Sequence, residues 1–201
     1  MKIVLILSSW STGSSAVAGF LDKCGGYTCP PHHRIADERT PNTYEPREYR
    51  AALLKCVDEK TLAQKGSTED FKDFFERWLP KQIKKAKENQ CDTIVLKHAL
   101  QSFLLPVIQS VCDPTCILVT RPFDKIERTR IRRNWGGPHG ESGARMIYSA
   151  TYSFLHDQSK PCLIVPYEGF RIDENIHCHL LQYVGISPEK DQLEAARNWL
   201  R

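Results

Sequence analysis

Residues 11–15, Ser-Thr-Gly-Ser-Ser, place four hydroxyls and one glycine between a short apolar run, Ile3 to Leu7, and a stretch with helical spacing that begins at Ser15. The order reads as strand, tight turn, helix. A glycine there lets the backbone fold back, the first N–H groups of the helix have no partner of their own, and the hydroxyls of Ser11, Thr12, Ser14 and Ser15 around Gly13 add donors. Such a loop suits a phosphate or sulfate. A plain polar turn uses the same residue types, so the loop is read together with the other groups able to do chemistry. Glu45 follows a long polar segment, Lys97 and His98 close the apolar run TIVLK, and Arg121 follows CILVT with Thr129 eight residues on. Transfer of a charged group needs a base for the acceptor's proton and cations where negative charge accumulates. Glu45 is the first candidate for the base and His98 the second; Lys97 is a candidate cation. Arg121 can fork onto a phosphate from a strand end, and a hydroxyl one or two turns into the next helix, Thr129, can reach the same group. Each has a plainer reading. Glu45 can help start the helix after it, and His98 can be a structural histidine.

These residues must be held by elements, and the hydrophobic pattern supplies them. Short apolar runs without alternation, at residues 3–7, 93–97, 116–120 and 161–165, predict buried strands. Helical spacing covers residues 15–24, 46–65, 68–89, 100–111, 122–134 and 144–156, then 174–184 and 188–200. Strands separated by helices imply an α/β fold, a parallel β-sheet flanked by helices on both faces, with about four to five strands in one domain over residues 1–201. Residues 27–44 lack periodicity and predict a long surface loop, with His32 and His33 facing solvent; WGGPHGESG at 135–143 predicts a mobile flap. The aromatic stripe of Phe71, Phe74, Phe75 and Trp78 predicts core.

Composition narrows the class of protein. The chain has 201 residues, 41% hydrophobic and 26% charged, and a formal charge of +4. That mild charge argues against a dedicated nucleic-acid binder, and the basic residues Arg128, Arg130, Arg132 and Arg133 read as a solvated helix face. No apolar run approaches the roughly 20 residues of a membrane helix, and the start is too short in apolar residues for a secretory signal, so the cytoplasm is expected. Eight cysteines raise the question of disulfides or metal, but their spacings do not match zinc knuckles. Free thiols and no metal site are the expectation.

A phosphate loop on the first strand first suggests a nucleotide kinase or NTPase. The chain has Ser8 where the first glycine of G-x-x-x-x-G-K-[ST] belongs and Ser14 where the lysine belongs, and a dinucleotide fingerprint fails with one glycine instead of three. What the sequence resembles is the sulfotransferase family. Residues 11–19 look like its phosphosulfate loop, Asn42-Thr43-Tyr44-Glu45 resembles an N-x-x-Y/F-E segment with one residue fewer, and Lys97 to Pro106 resembles K-x-x-x-x-x-L-L-P with one residue more. Arg121 with Thr129 resembles the family's 3′-phosphate pair, and Tyr167-Glu168 a segment before the C-terminal helices. The resemblance implies a P-loop NTPase-like three-layer sandwich. It also implies 3′-phosphoadenosine 5′-phosphosulfate (PAPS) as donor, a small-molecule or carbohydrate acceptor, and no metal. Ser11 stands where the family has Arg or Lys, so Lys97, Arg128 or Arg145 must supply that charge or activity is low. Thr129 replaces a serine, and His98-Ala99-Leu100 replaces an Asp-Pro-Arg common in bacterial relatives. A weak or inactive nucleotide-binding relative and an atypical small-molecule kinase are the alternatives.

Overall fold

The computed structural model describes residues 1–35, 37–38, 40 and 42–200. Four strands, β1 (Lys2–Leu7), β2 (Thr93–Lys97), β3 (Thr115–Thr120) and β4 (Cys162–Pro166), form one parallel sheet in the order β2-β1-β3-β4. The connecting helices are α1 (Ser14–Lys23), α2 (Arg47–Cys56), α3 (Thr68–Glu88), α4 (Leu105–Val111), α5 (Phe123–Arg132) and α6 (Glu141–Asp157). After β4 come α7 (Tyr167–Phe170), α8 (Glu174–Val184) and α9 (Lys190–Leu200).

The first three strands lack an apolar/polar alternation because both their faces are covered, while the edge strand β4 leaves Ile164 exposed. Ile3, Leu5 and Leu7, with Ile94, Leu96, Cys116 and Leu118, pack with buried residues of α2 to α6 such as Leu53, Phe75, Ile108, Ile126 and Ile147. Val4, Ile6, Val95, Ile117, Val119 and Val165 face the other way, onto Val17 and Phe20 of α1, Leu180 of α8 and Ala196 of α9. The result is the expected three-layer α/β sandwich. The aromatic stripe is core as expected, with Phe71 and Phe75 almost wholly buried and stacked on each other. All eight cysteines are free thiols. No helix among the described residues is long and apolar enough to cross a membrane.

Local chemistry corrects several boundaries. The helix expected over 46–65 stops at Cys56, where Val57 turns extended and bridges Gln64, and the Asp58 carboxylate accepts the N–H groups of Lys60 and Thr61 in a turn. The helix expected over 100–111 divides into a 3₁₀ turn at Ala99–Phe103 and then α4, whose second residue, Pro106, needs no N–H partner. The segment 27–44 is not all surface. Tyr27 pairs with Ile94 at the open edge of β2, and Thr28 and Cys29 are buried; residues 36, 39 and 41 of that segment lie outside the described residues. The expected flap contains a 3₁₀ turn at Gly137–His139, and α6 begins earlier than its hydrophobic pattern, at Glu141.

Candidate active site

All four strands run the same way, so the loops after them gather at one edge. The chain leaves β1 toward β2 and later crosses back to β3 on the other side, which opens a crevice at the carboxyl ends of β1 and β3. The Ser-rich loop lies there. Ser11 (φ 63°) and Gly13 (φ 88°) both take left-handed backbone to reverse the chain into α1. Glycine is required twice over at position 13, since a Cβ there would stand 2.2 Å from Cδ2 of the Tyr167 ring. The hydroxyls are less available than their number suggests. Thr12 is buried and donates to the Ser9 carbonyl at 2.9 Å, Ser11 donates to the His139 carbonyl at 3.4 Å, and Ser15 donates to the Thr43 carbonyl at 3.2 Å. Gly13 caps α1 without any side-chain hydrogen bond, and the amides of Ala16 and Val17 bond back to its carbonyl. At the start of α1 the amides of Gly13, Ser14 and Ser15, rather than the hydroxyls of Ser11, Thr12 and Ser15, are the donors left to face the crevice.

Glu45 is aimed inward by a local turn. The Asn42 side chain accepts the Tyr44 N–H, the Thr43 hydroxyl accepts the Glu45 N–H, and Tyr44 takes φ 55°. The buried Glu45 carboxylate then meets Lys97 at 2.7 Å, Arg50 at 3.7 Å and His98 at 3.8 Å. Burial pushes its pKa up, but Lys97, His98 and Arg50 together pull harder and hold it at about 2. Lys97, itself buried, also donates to the Thr43 carbonyl at 3.3 Å and to Ser15 Oγ at 3.4 Å, which ties the end of β2 to the start of α1. His98 is fully buried and does not line the cavity. Its Nδ1 accepts the Leu100 N–H at 3.1 Å, so the neutral ring carries its proton on Nε2, toward Glu45. Burial lowers its pKa to about 4 against the opposing pull of Glu45. That geometry suits a support for Glu45, not a base for a ligand.

Arg121 leaves β3 clamped on several sides. Its Nε donates to Glu168 at 2.9 Å, its Nη1 to the Ser11 carbonyl at 3.0 Å and to Thr129 Oγ1 at 3.1 Å, and the Tyr167 ring lies 5.2 Å from the guanidinium carbon. The Thr129 hydroxyl donates in turn to the Lys125 carbonyl at 3.0 Å. In this arrangement Thr129 orients Arg121 and has no proton of its own to offer a ligand.

One cavity of about 770 Å³ joins these parts, with Ser11, Gly13, Ser14, Ser15, Glu45, Lys97, Arg121 and Thr129 on its wall. Of the cations proposed to replace the one missing at Ser11, only Lys97 is there. Arg128 and Arg145 are mostly exposed, paired with Asp124 and Glu141, and absent from the wall. His33, expected to face solvent, lines the cavity, and His32 is tied to the Thr28 carbonyl and Asn42. Sequence reasoning missed Arg50, Glu59 and Trp10, and gave no site role to His139 and Tyr167, although it singled out the segments that hold them. Arg50 donates to Glu59 at 3.2 Å besides facing Glu45, and the His139 ring sits 4.5 Å from that of Trp10. Arg50 was hidden because it belongs to a helix whose apolar face alone was legible, although its place five residues after Glu45 was a usable signal.

A parallel α/β sandwich with a glycine-turned, Ser-rich loop after its first strand has the layout of a P-loop-like fold, and within that class the chain has the fold of a sulfotransferase domain. The sulfotransferase domain from the Synechococcus PCC 7002 olefin synthase is similar over 96% of this chain and 76% of that one, with a TM-score of 0.58 and 16% identity. No protein-family model and no curated protein matches the sequence.

Proposed function

We propose that the protein is a PAPS-dependent sulfotransferase that moves a sulfuryl group to a hydroxyl or amine. The observation that carries this reading is a single cavity holding uncapped α1 amides at one place, Arg121 at another, and a buried Lys97–Glu45 pair beside the loop. Two anionic ends and a reacting centre are what this donor presents, and the residues fit each. The amides of 13–15 would hold the 5′-phosphosulfate, Arg121 the 3′-phosphate, and Lys97 the charge that builds on the leaving phosphate oxygen, the role relatives give to the cation that Ser11 lacks. The donor supplies an activated sulfuryl group; the chain supplies position, charge and a proton acceptor. Glu45 takes the acceptor's proton. Held near pKa 2 by Lys97 it is a weak base, so a turn of Lys97 from Glu45 toward the loop strengthens the base at the moment the cation is needed.

A second reading, nucleotide binding without turnover, is favoured by the neutral Ser11 and by the 2.7 Å bond that already commits Lys97 to Glu45. Calorimetric titration with adenosine 3′,5′-bisphosphate tests what both readings share. Micromolar binding is expected, weakened about 10- to 100-fold by Arg121→Ala while binding of adenosine 5′-monophosphate changes little. An absence of binding up to millimolar concentrations would overturn both readings.

A further inference from the structure

We propose that Glu168 is a positioning residue for recognition of the donor's 3′-phosphate: its carboxylate, anchored by Lys125, fixes Arg121 so that the Nη2 edge of the guanidinium is presented to the ligand. The inference rests on the sulfotransfer reading. β3 and β4 are in register with Thr120 opposite Pro166, so Arg121 and the Tyr167-Glu168 pair leave neighbouring strands at the same level. One carboxylate oxygen of Glu168 accepts Arg121 Nε at 2.9 Å and the other faces Lys125 Nζ at 3.2 Å. Arg121 has five N–H donors in a rigid fork. Nε goes to Glu168, and Nη1 goes to the Ser11 carbonyl and Thr129; Nη2 makes no hydrogen bond among the described residues.

The alternative, that Glu168 occupies the phosphate's own place and competes with it, fits less well. Arg121, Thr129 and Tyr167 line the cavity, whereas Glu168 and Lys125 do not. Glu168 therefore sits behind the guanidinium. Burial pushes its pKa up, but the hydrogen bonds from Arg121 and Lys125 outweigh this and lower it, keeping the carboxylate charged at neutral pH. Without it the Arg121 side chain keeps its charge but loses the bond that sets its direction, and a charge-assisted contact made through the one remaining nitrogen is sensitive to direction.

The test is titration of wild type, Glu168→Ala and Glu168→Gln with adenosine 3′,5′-bisphosphate and adenosine 5′-monophosphate, with Glu168→Ala repeated in an Arg121→Ala background. Glu168→Ala is expected to weaken the bisphosphate about tenfold and the monophosphate by less than about twofold. Glu168→Gln, which keeps an acceptor for Nε, should recover most of the loss, and in the Arg121→Ala background Glu168→Ala should add nothing. Tighter bisphosphate binding by either variant would identify Glu168 as a competitor and overturn the inference. Equal losses for both ligands, or full additivity with Arg121→Ala, would overturn it as well. In each of those cases wild type binds and the sulfotransfer reading stands. If wild type fails to bind the bisphosphate, that reading falls and takes this inference with it.

Discussion

Lys97 is the residue on which the choice between turnover and mere binding depends. Its ammonium is the one cation of the three considered that reaches the cavity wall, and it sits within 3.4 Å of Ser15 at the start of α1. Removing one preorganised transition-state donor lowers turnover by roughly two or more orders of magnitude. Lys97→Ala should therefore abolish most sulfotransfer in a single-turnover assay while bisphosphate affinity changes little, and Ser11→Lys in that background should restore part of the rate. Undiminished turnover in Lys97→Ala would assign the charge to another group, with Arg50 the next to be changed. The substitution also strands a buried carboxylate, so bisphosphate affinity and Tm are read in Lys97→Ala/Glu45→Gln as well, which removes the uncompensated charge. Turnover is compared in Lys97→Ala alone, because the double variant lacks the proposed base.

At the scale of elements, the Ser-rich loop after β1 is not shaped by its own residues alone. Tyr167, at the start of α7, covers Gly13 so closely that no side chain fits beneath it, and the same ring packs against Arg121. The loop after β1 and the turn after β4 are thus one packed unit. Gly13→Ala adds the strain of a left-handed non-glycine residue, about 1–3 kcal/mol, to a clash with Tyr167. A fall of several degrees in Tm is expected by calorimetry, along with weaker bisphosphate binding as the ring is displaced. An unchanged Tm would show that neither the backbone nor the ring resists the added methyl. In Gly13→Ala/Tyr167→Ala only the backbone part of the loss should remain.

For the molecule as a whole, the buried ionisable centre links folding to pH. His98 in the folded chain titrates near 4, below its ordinary 6.5, so the unfolded chain binds the proton first and stability, complete above pH 6.5, falls as pH drops toward 4. Glu45, lowered from 4.5 to about 2, continues the loss in the same direction below that window. His33 and His177 are shifted downward too, chiefly by burial, and add to the first slope. Urea denaturation at about pH 7 and about pH 5 should show lower stability at the acid value, and His98→Asn, which can still accept the Leu100 N–H, should flatten the difference without abolishing it. A slope as steep in His98→Asn as in wild type would remove His98 from the account.

The sequence by itself determined the layers, because apolar runs as short as Ile3 to Leu7, each followed by a segment of helical spacing, fit strands covered on both faces by helices. It also determined that Ser11 to Ser15, Lys97 and Arg121 would meet, since parallel strands deliver all their carboxyl ends to one edge. What each of those side chains is bonded to was decided only by tertiary structure. That Lys97 reaches Glu45 and that His98 is sealed beneath the same carboxylate depend on contacts between residues dozens of positions apart, whereas Thr129 is used up close by, on Arg121 and Lys125. Hydrophobic period is a local property and can be read along the chain. Hydrogen bonding is directional and short in range, so its partners exist only once distant segments have been brought within about 3 Å of each other.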